Sequence, residues 1–129
     1  MKALIIYKRI SLMLSLGYMG LIFHLSSKPS LPIPPLFPYQ DKLFHFTAYG
    51  ILGFLLSSAL PEKKIWVPAL LASLYGISDE FHQSFVPGRS CDLLDWFADS
   101  FGAISGSYLF FILWKKVFRE ILLRYQRKE

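Results

Sequence analysis

Cys91 is the only cysteine in this chain of 129 residues, which excludes an intrachain disulfide and a cysteine-rich zinc site. Acidic residues are also scarce: nine Asp and Glu stand against fourteen Lys and Arg, for a net charge of +5. Such a surplus of base suits nucleic acid, but its distribution along the chain has a better explanation, given below. Two long stretches, residues 10–27 and 43–60, contain no Asp, Glu, Lys or Arg. Each reaches the length of about 18 residues at which an apolar helix crosses a bilayer. Internal repeats and low-complexity blocks are absent, so a repeat array is excluded.

What the chain has in abundance is apolar surface. Its 53% hydrophobic and 17% aromatic content exceeds the range of about 45–50% apolar that is usual for soluble domains. Residues 65–78 and 100–114 are uncharged for 14 and 15 residues. They reach spanning length only when Asp79 and Glu80, or Trp96 and Asp99, are included. The reading is an all-α, polytopic membrane protein of one domain, 1–129, with four transmembrane helices over about 10–27, 42–60, 65–85 and 93–114. Core helices of a soluble bundle give similar short runs, which makes that the competing class. A secretory signal is the competing reading of the first run, since Lys8 and Arg9 precede it. His24 and Leu25, however, stand where a small residue is wanted before cleavage, and further spans follow, so the first run is read as a retained anchor.

Four spans put both termini on one side, and basic residues then identify the cytoplasmic face. Lys2, Lys8, Arg9, Lys63, Lys64, Lys115, Lys116, Arg119, Arg124, Arg127 and Lys128 fall on the side of the termini, leaving only Lys28, Lys42 and Arg89 opposite. Both termini are therefore expected to be cytoplasmic, and the basic excess belongs to a membrane surface, with no nucleic-acid partner. Asp41, Asp79, Glu80, Asp92, Asp95 and Asp99 collect at the outer ends, with all three histidines. Pro29, Pro32, Pro34, Pro35 and Pro38 make a semi-rigid outer strap with polyproline II character. Pro61 to Lys64 is read as a cytoplasmic turn, and Pro87-Gly88 as an outer one. Beyond Trp114, apolar residues at helical spacing among bases suit an amphipathic tail, 115–129, on the inner leaflet. A plain continuation of the fourth helix fits them equally.

Charged groups inside an apolar span cost about 2.5–3.5 kcal/mol at its centre, so they pair or mark a site. Asp41, His45 and Tyr49 recur every fourth residue and project along one stripe of a helix. Asp41 alone also reads as a simple helix cap, and Lys42 as a headgroup contact. In the third span Asp79, His82 and Gln83 share a face while Glu80 points about a quarter turn away. Two adjacent carboxylates at the carbonyl end of a helix oppose its dipole and need partners, and Arg89 is the expected one. Its fork suits a carboxylate or a lipid-linked phosphate. Asp92 is explained by its position in the first turn of the fourth helix, whereas Asp95 and Asp99 lie deeper. Gly102 and Gly106 give the G-x-x-x-G spacing of close helix packing.

The segments D-K-L-F-H-F-T-A-Y-G from Asp41 and D-E-F-H-Q-S-F-V-P-G-R from Asp79, followed by Asp95, Asp99, Gly102 and Gly106, resemble the VanZ-like family across nearly the whole chain. The middle segment is the most specific part. The family's motif positions fall on Asp41, Lys42, His45, Tyr49, Asp79, Glu80, Gln83, Arg89, Asp95, Gly102 and Gly106, while Asp99 stands where the family often has Asn. The resemblance implies a small polytopic protein of the bacterial cytoplasmic membrane, in a family whose namesake is linked to reduced sensitivity to the glycopeptide teicoplanin. It implies no particular reaction.

The expected function is therefore that of a cell-envelope protein with its polar cluster facing the extracytoplasmic side. Its partners are the lipid bilayer and a lipid-linked or glycopeptide-related ligand. Were it an enzyme, Asp79 and Glu80 are the candidate acid and base, with His45 relaying protons. Asp41, Lys42, Tyr49, Gln83, Arg89, Asp95 and Asp99 are the candidate ligand-binding residues. The alternatives are a scaffold whose charges form a structural lattice, or a proton or ion pathway. A His, Asp and Glu set has the donor types for a divalent ion, but the spacing reproduces no recognised zinc motif. Cofactor and oligomeric state are not legible.

Overall fold

The computed structural model describes residues 2–30, 33–60 and 64–127. Pro32 of the strap, residues 61–63 of the expected cytoplasmic turn, and Lys128 and Glu129 of the tail lie outside the described residues. Among the described residues the chain is entirely helical: α1 Lys2–Ser26, α2 Gln40–Ala59, α3 Trp66–Gln83, α4 Leu93–Leu113, a π-helical turn Trp114–Phe118 and α5 Arg119–Gln126. The all-α expectation is met. Helix α1 begins eight residues ahead of the expected span, taking Lys8 and Arg9 into the helix, and α4 runs on through the π turn into α5.

Among the described residues two helical stretches, Lys2–Ser26 and Leu93–Val117, are by length and composition long and apolar enough to cross a membrane. Helix α2, which the sequence put beside the first as a secure crossing, falls short of that measure. It ends at Ala59, so every full-length window within it takes in part of the polar first turn Gln40, Asp41 and Lys42, together with Thr47 and Ser57. Helix α3 is likewise shortened in apolar terms by Asp79 and Glu80 at its end.

A core of Ile22, Tyr49, Leu52, Leu56, Ala72 and Ala103 lies between the helices, but α1 turns mostly small polar side chains inward and large apolar ones outward. In α1 the buried residues are Ser11, Ser15, Ile22 and Ser26, while Met13 is 72% exposed and Leu14, Leu16 and Phe23 are all more than half exposed. This reverses the soluble pattern, in which the apolar stripe faces the core, and it is the arrangement that a lipid solvent favours. The inward serines satisfy themselves locally: Ser15 Oγ donates to the Ser11 carbonyl at 2.8 Å and Ser57 Oγ to that of Gly53 at 2.8 Å.

Helices α2 and α4 make the most extensive contact in the molecule, and glycine makes it close. A Cβ on Gly106 would lie 1.8 Å from the Gly50 carbonyl oxygen, and one on Gly102 2.1 Å from that of Phe46. Gly53 is in the same position against Ala103 O, at 2.4 Å. The G-x-x-x-G reading is met, with α2 as the partner. Ser107 Oγ donates across this seam to the Gly53 carbonyl at 3.2 Å. Helix α3 is tied to α4 by Trp96 Nε1–H donating to the Ser73 carbonyl and by a Ser73–Ser100 hydroxyl pair, and to α1 by Tyr75 OH donating to the Met19 carbonyl at 2.7 Å.

The helices alternate in direction. Ser27, at the end of α1, meets His82 at the end of α3, and Lys42, at the start of α2, meets Asp92 at the start of α4. At the other end, Tyr7 stacks on Trp114 with ring centroids 5.8 Å apart, so the start of α1 and the end of α4 lie away from the polar cluster.

Candidate functional site

Local sequence holds the polar end open in three places. Tyr39 enters α2 in the left-handed conformation, φ 62°, and the buried Gln40 side chain ties down the preceding loop. Its Oε1 accepts from Leu36 N–H at 2.7 Å. After α3, Pro87 and Gly88 form the predicted outer turn: Gly88 has φ 82° and Arg89 N–H donates back to the Val86 carbonyl at 3.0 Å, the geometry of a turn that needs glycine at its third position. Asp92 then caps α4, its Oδ1 accepting from Leu94 N–H at 2.9 Å.

Lys42 is the hub of the rim of this polar end. Its Nζ lies 2.5 Å from Asp92 Oδ2, 2.7 Å from Asp95 Oδ1 and 3.0 Å from Asp41 Oδ2, joining α2 to α4. It is not the headgroup contact its sequence position allowed. The hydrogen bond from Lys42, followed by that from Leu94 N–H, holds the Asp92 carboxyl below the usual carboxylate range. At the exposed Asp41, burial pushes upward but the Lys42 hydrogen bond and charge outweigh it, and the carboxyl is lowered.

Deeper in, His45 joins three helices. Its Nδ1 lies 2.8 Å from Asp99 Oδ1 on α4 and 3.9 Å from Glu80 Oε1 on α3, and its Nε2 lies 3.8 Å from Asp95 Oδ2. Asp79, Glu80, Asp95 and Asp99 are all buried, Asp99 completely. Glu80, a quarter turn from Asp79 and Gln83 on α3, is therefore inward as well. Its Oε2 accepts from Asp92 N–H at 2.9 Å and its Oε1 from Gln83 Nε2 at 3.4 Å. Gln83 Nε2 also reaches Asp79 Oδ2 at 3.2 Å. Tyr49, 1% exposed, carries its hydroxyl beside Asp79, with a geometry short of a hydrogen bond.

Arg89 departs from expectation. Among the described residues no carboxylate lies within 4 Å of its guanidinium, and its Nε–H donates instead to the Lys28 carbonyl at 3.0 Å. Asp79 and Glu80, the carboxylates it was expected to clamp, are met instead by Gln83 Nε2, and Glu80 also by the Asp92 backbone N–H and by His45 at 3.9 Å. His82 also leaves the cluster, packing its ring on Phe23 of α1 at 4.4 Å with Nε2 3.0 Å from Ser27 Oγ.

Between α1, α2, α3 and Arg89 lies a cavity of about 140 Å³. Asp41, His45, Tyr49, Asp79, Gln83 and Arg89 form its polar side, and Ile22, Leu25, Phe44 and Ala48 its apolar side. Of the candidate residues, Lys42, Glu80, Asp95 and Asp99 stand behind this wall. Sequence reasoning missed the hub role of Lys42 and the loop-tying role of Gln40. The first had a signal, since Asp92 and Asp95 are three apart on one helical face and need a cation. The second had none.

A family model described as VanZ/LLP1 matches residues 4–115. No curated protein and no solved structure matches the chain.

Proposed function

This chain belongs to the VanZ/LLP1 family, and from that premise we propose a membrane protein of the bacterial cell envelope with four spans and cytoplasmic termini. Its extracytoplasmic cavity binds a lipid-linked anionic ligand and thereby alters sensitivity to glycopeptides such as teicoplanin. Two helical stretches of membrane-crossing length support the bilayer as solvent. The basic residues at the termini support the orientation.

The observation that carries the reading is the two-sided cavity with Arg89 at its edge. An acyl or prenyl chain has an apolar wall to lie on, formed by α1 and α2. A guanidinium without a carboxylate partner among the described residues has its planar fork free for a phosphate. Gln83 and Tyr49 supply hydrogen-bonding groups to the same space, and Asp41 stands at its rim. An acid–base step there would draw on Asp79, which lines the cavity, with Glu80 and His45 beside it. Lys42, Asp95 and Asp99 serve the ligand indirectly, by fixing α4 against α2.

The test is Arg89→Gln in a host lacking other copies of the family, with membrane abundance measured beside teicoplanin tolerance and the phospholipids that co-purify. Loss of tolerance and about ten-fold less bound lipid phosphate at unchanged abundance is the expected result. Full retention of both overturns the ligand reading. Disappearance of the protein instead supports a structural lattice, and pH-dependent flux in liposomes supports a pathway.

A further inference from the structure

The geometry points to a divalent metal ion, of the zinc or manganese class, held between α2, α3 and α4 by His45 Nδ1, Glu80 and Asp99. The ion's use rests on the preceding reading, since His45 also lines the cavity, but its binding does not.

One donor atom from each of the three residues can be chosen so that all lie within 4.8 Å of one another. Metal–ligand bonds of about 2.1 Å to imidazole nitrogen and carboxylate oxygen imply donor separations of about 3.0 Å in octahedral and about 3.4 Å in tetrahedral geometry. The separations of 2.8 and 3.9 Å from His45 Nδ1 to Asp99 Oδ1 and Glu80 Oε1 bracket those values, so small side-chain rotations complete the site. One imidazole with two carboxylates suits zinc or manganese better than a hard all-oxygen ion such as calcium.

Charge calls for such an ion. Lys42 is committed to Asp41, Asp92 and Asp95, which leaves the buried Glu80 and Asp99 facing His45 as their cation, with the buried Asp79 near Asp99. Ionised together they exceed one imidazolium by two charges, in a setting where unbalanced charge is strongly disfavoured.

Protons are the competing neutraliser, and one shared between Asp99 Oδ1 and His45 Nδ1 at 2.8 Å removes a single charge; it does not serve the carboxylate oxygens that lack partners. Asp99 Oδ2, on a residue with no exposure, and Asp79 Oδ1, on one 4% exposed, each have no hydrogen-bond partner among the described residues. Space beside the first is kept by Gly76, where a Cβ would come within 2.9 Å of Asp99 Oδ2.

The surroundings are those of a supported ligand set. The imidazole's second nitrogen faces Asp95 Oδ2 at 3.8 Å, and the Glu80 carboxylate is oriented by Asp92 N–H and Gln83 Nε2. Hydrogen bonds of this kind fix the direction of ligating carboxylates, whereas Asp95 adds negative charge beside the imidazole without a hydrogen bond.

The full-length protein in detergent, carrying Cys91→Ser and His24→Gln to remove exposed adventitious donors, is stripped with chelator and titrated calorimetrically with Zn2+ and with Mn2+ alone. One ion per chain is expected, with affinity falling at least about ten-fold in Glu80→Gln and in Asp99→Asn while helical circular dichroism persists. X-ray absorption of the Zn2+-loaded chain is expected to show one imidazole nitrogen with carboxylate oxygens, and it decides the matter even where a variant does not fold. No stoichiometric binding, unchanged affinity in both folded variants, or a first shell without imidazole overturns the site. A chain that binds no ion yet retains lipid phosphate through Arg89 loses this inference and keeps the cavity reading; the reverse result does the opposite.

Discussion

At Lys42 a single ammonium, 20% exposed, holds three carboxylates from two helices. Removing one partner of such a set leaves charge without compensation, and the cost is set by the most buried survivor. That survivor is Asp95, at 12% side-chain exposure, whereas Asp41 at 61% and Asp92 at 36% are relieved by solvent. Lys42→Met is therefore expected to destabilise the folded state by about 2–4 kcal/mol, discounted for the two exposed partners. Adding Asp95→Asn is expected to recover part of that loss, a coupling that denaturant titrations of the two singles and the double in micelles would measure. The Tyr75 hydroxyl offers a milder case. It donates to the Met19 carbonyl of α1, and Tyr75→Phe is expected to cost about 1 kcal/mol, with equal stabilities of the two proteins counting against the bond.

Among the elements, the α2 and α4 seam was the most legible part of the chain, because a glycine pair four apart has one dominant use in an apolar helix. Its energetics separate cleanly from helix propensity. Gly106→Ala or Gly102→Ala would put a methyl about 2 Å from a backbone oxygen, forcing the helices apart at a cost of about 3 kcal/mol or more. Gly17 and Gly20 have nothing within 4 Å of a built Cβ, so alanine there should stabilise by up to about 1 kcal/mol through helix propensity alone. Thermal melts of the four variants test the contrast, and it fails if both pairs shift alike. The Asp41, His45 and Tyr49 stripe was readable for a similar reason, since one helix fixes its own periodicity. Partners across helices were not. Arg89 was expected on Asp79 and Glu80 and lies on a backbone carbonyl, because its reach depends on where a loop ends in space. Glu80 shows the same limit: a quarter turn from its neighbours on α3 still points inward, since α2 and α4 both flank that helix.

For the whole molecule, the open question is which end of the bundle faces the cytosol, and the lone cysteine gives a direct way to ask it. Cys91 is exposed and lies between Arg89 and the α4 cap, at the cluster end. Val117, 45% exposed, lies past Trp114 at the end where α1 begins. Eight described basic residues gather toward that second end, Lys2, Lys8, Arg9, Lys64, Lys115, Lys116, Arg124 and Arg127, and loop bias of this kind sets orientation during insertion. A membrane-impermeant maleimide added to intact cells is thus expected to label Cys91. Val117→Cys in a Cys91→Ser background should react only after permeabilisation. Reversed labelling would put the acidic cluster and its cavity in the cytosol, where a lipid-linked envelope ligand displayed on the outer leaflet could not reach Arg89. Labelling of both sites without permeabilisation would instead indicate a chain that does not span the bilayer, and would return the helices to the soluble class that their outward-facing Met13, Leu14 and Leu16 argue against.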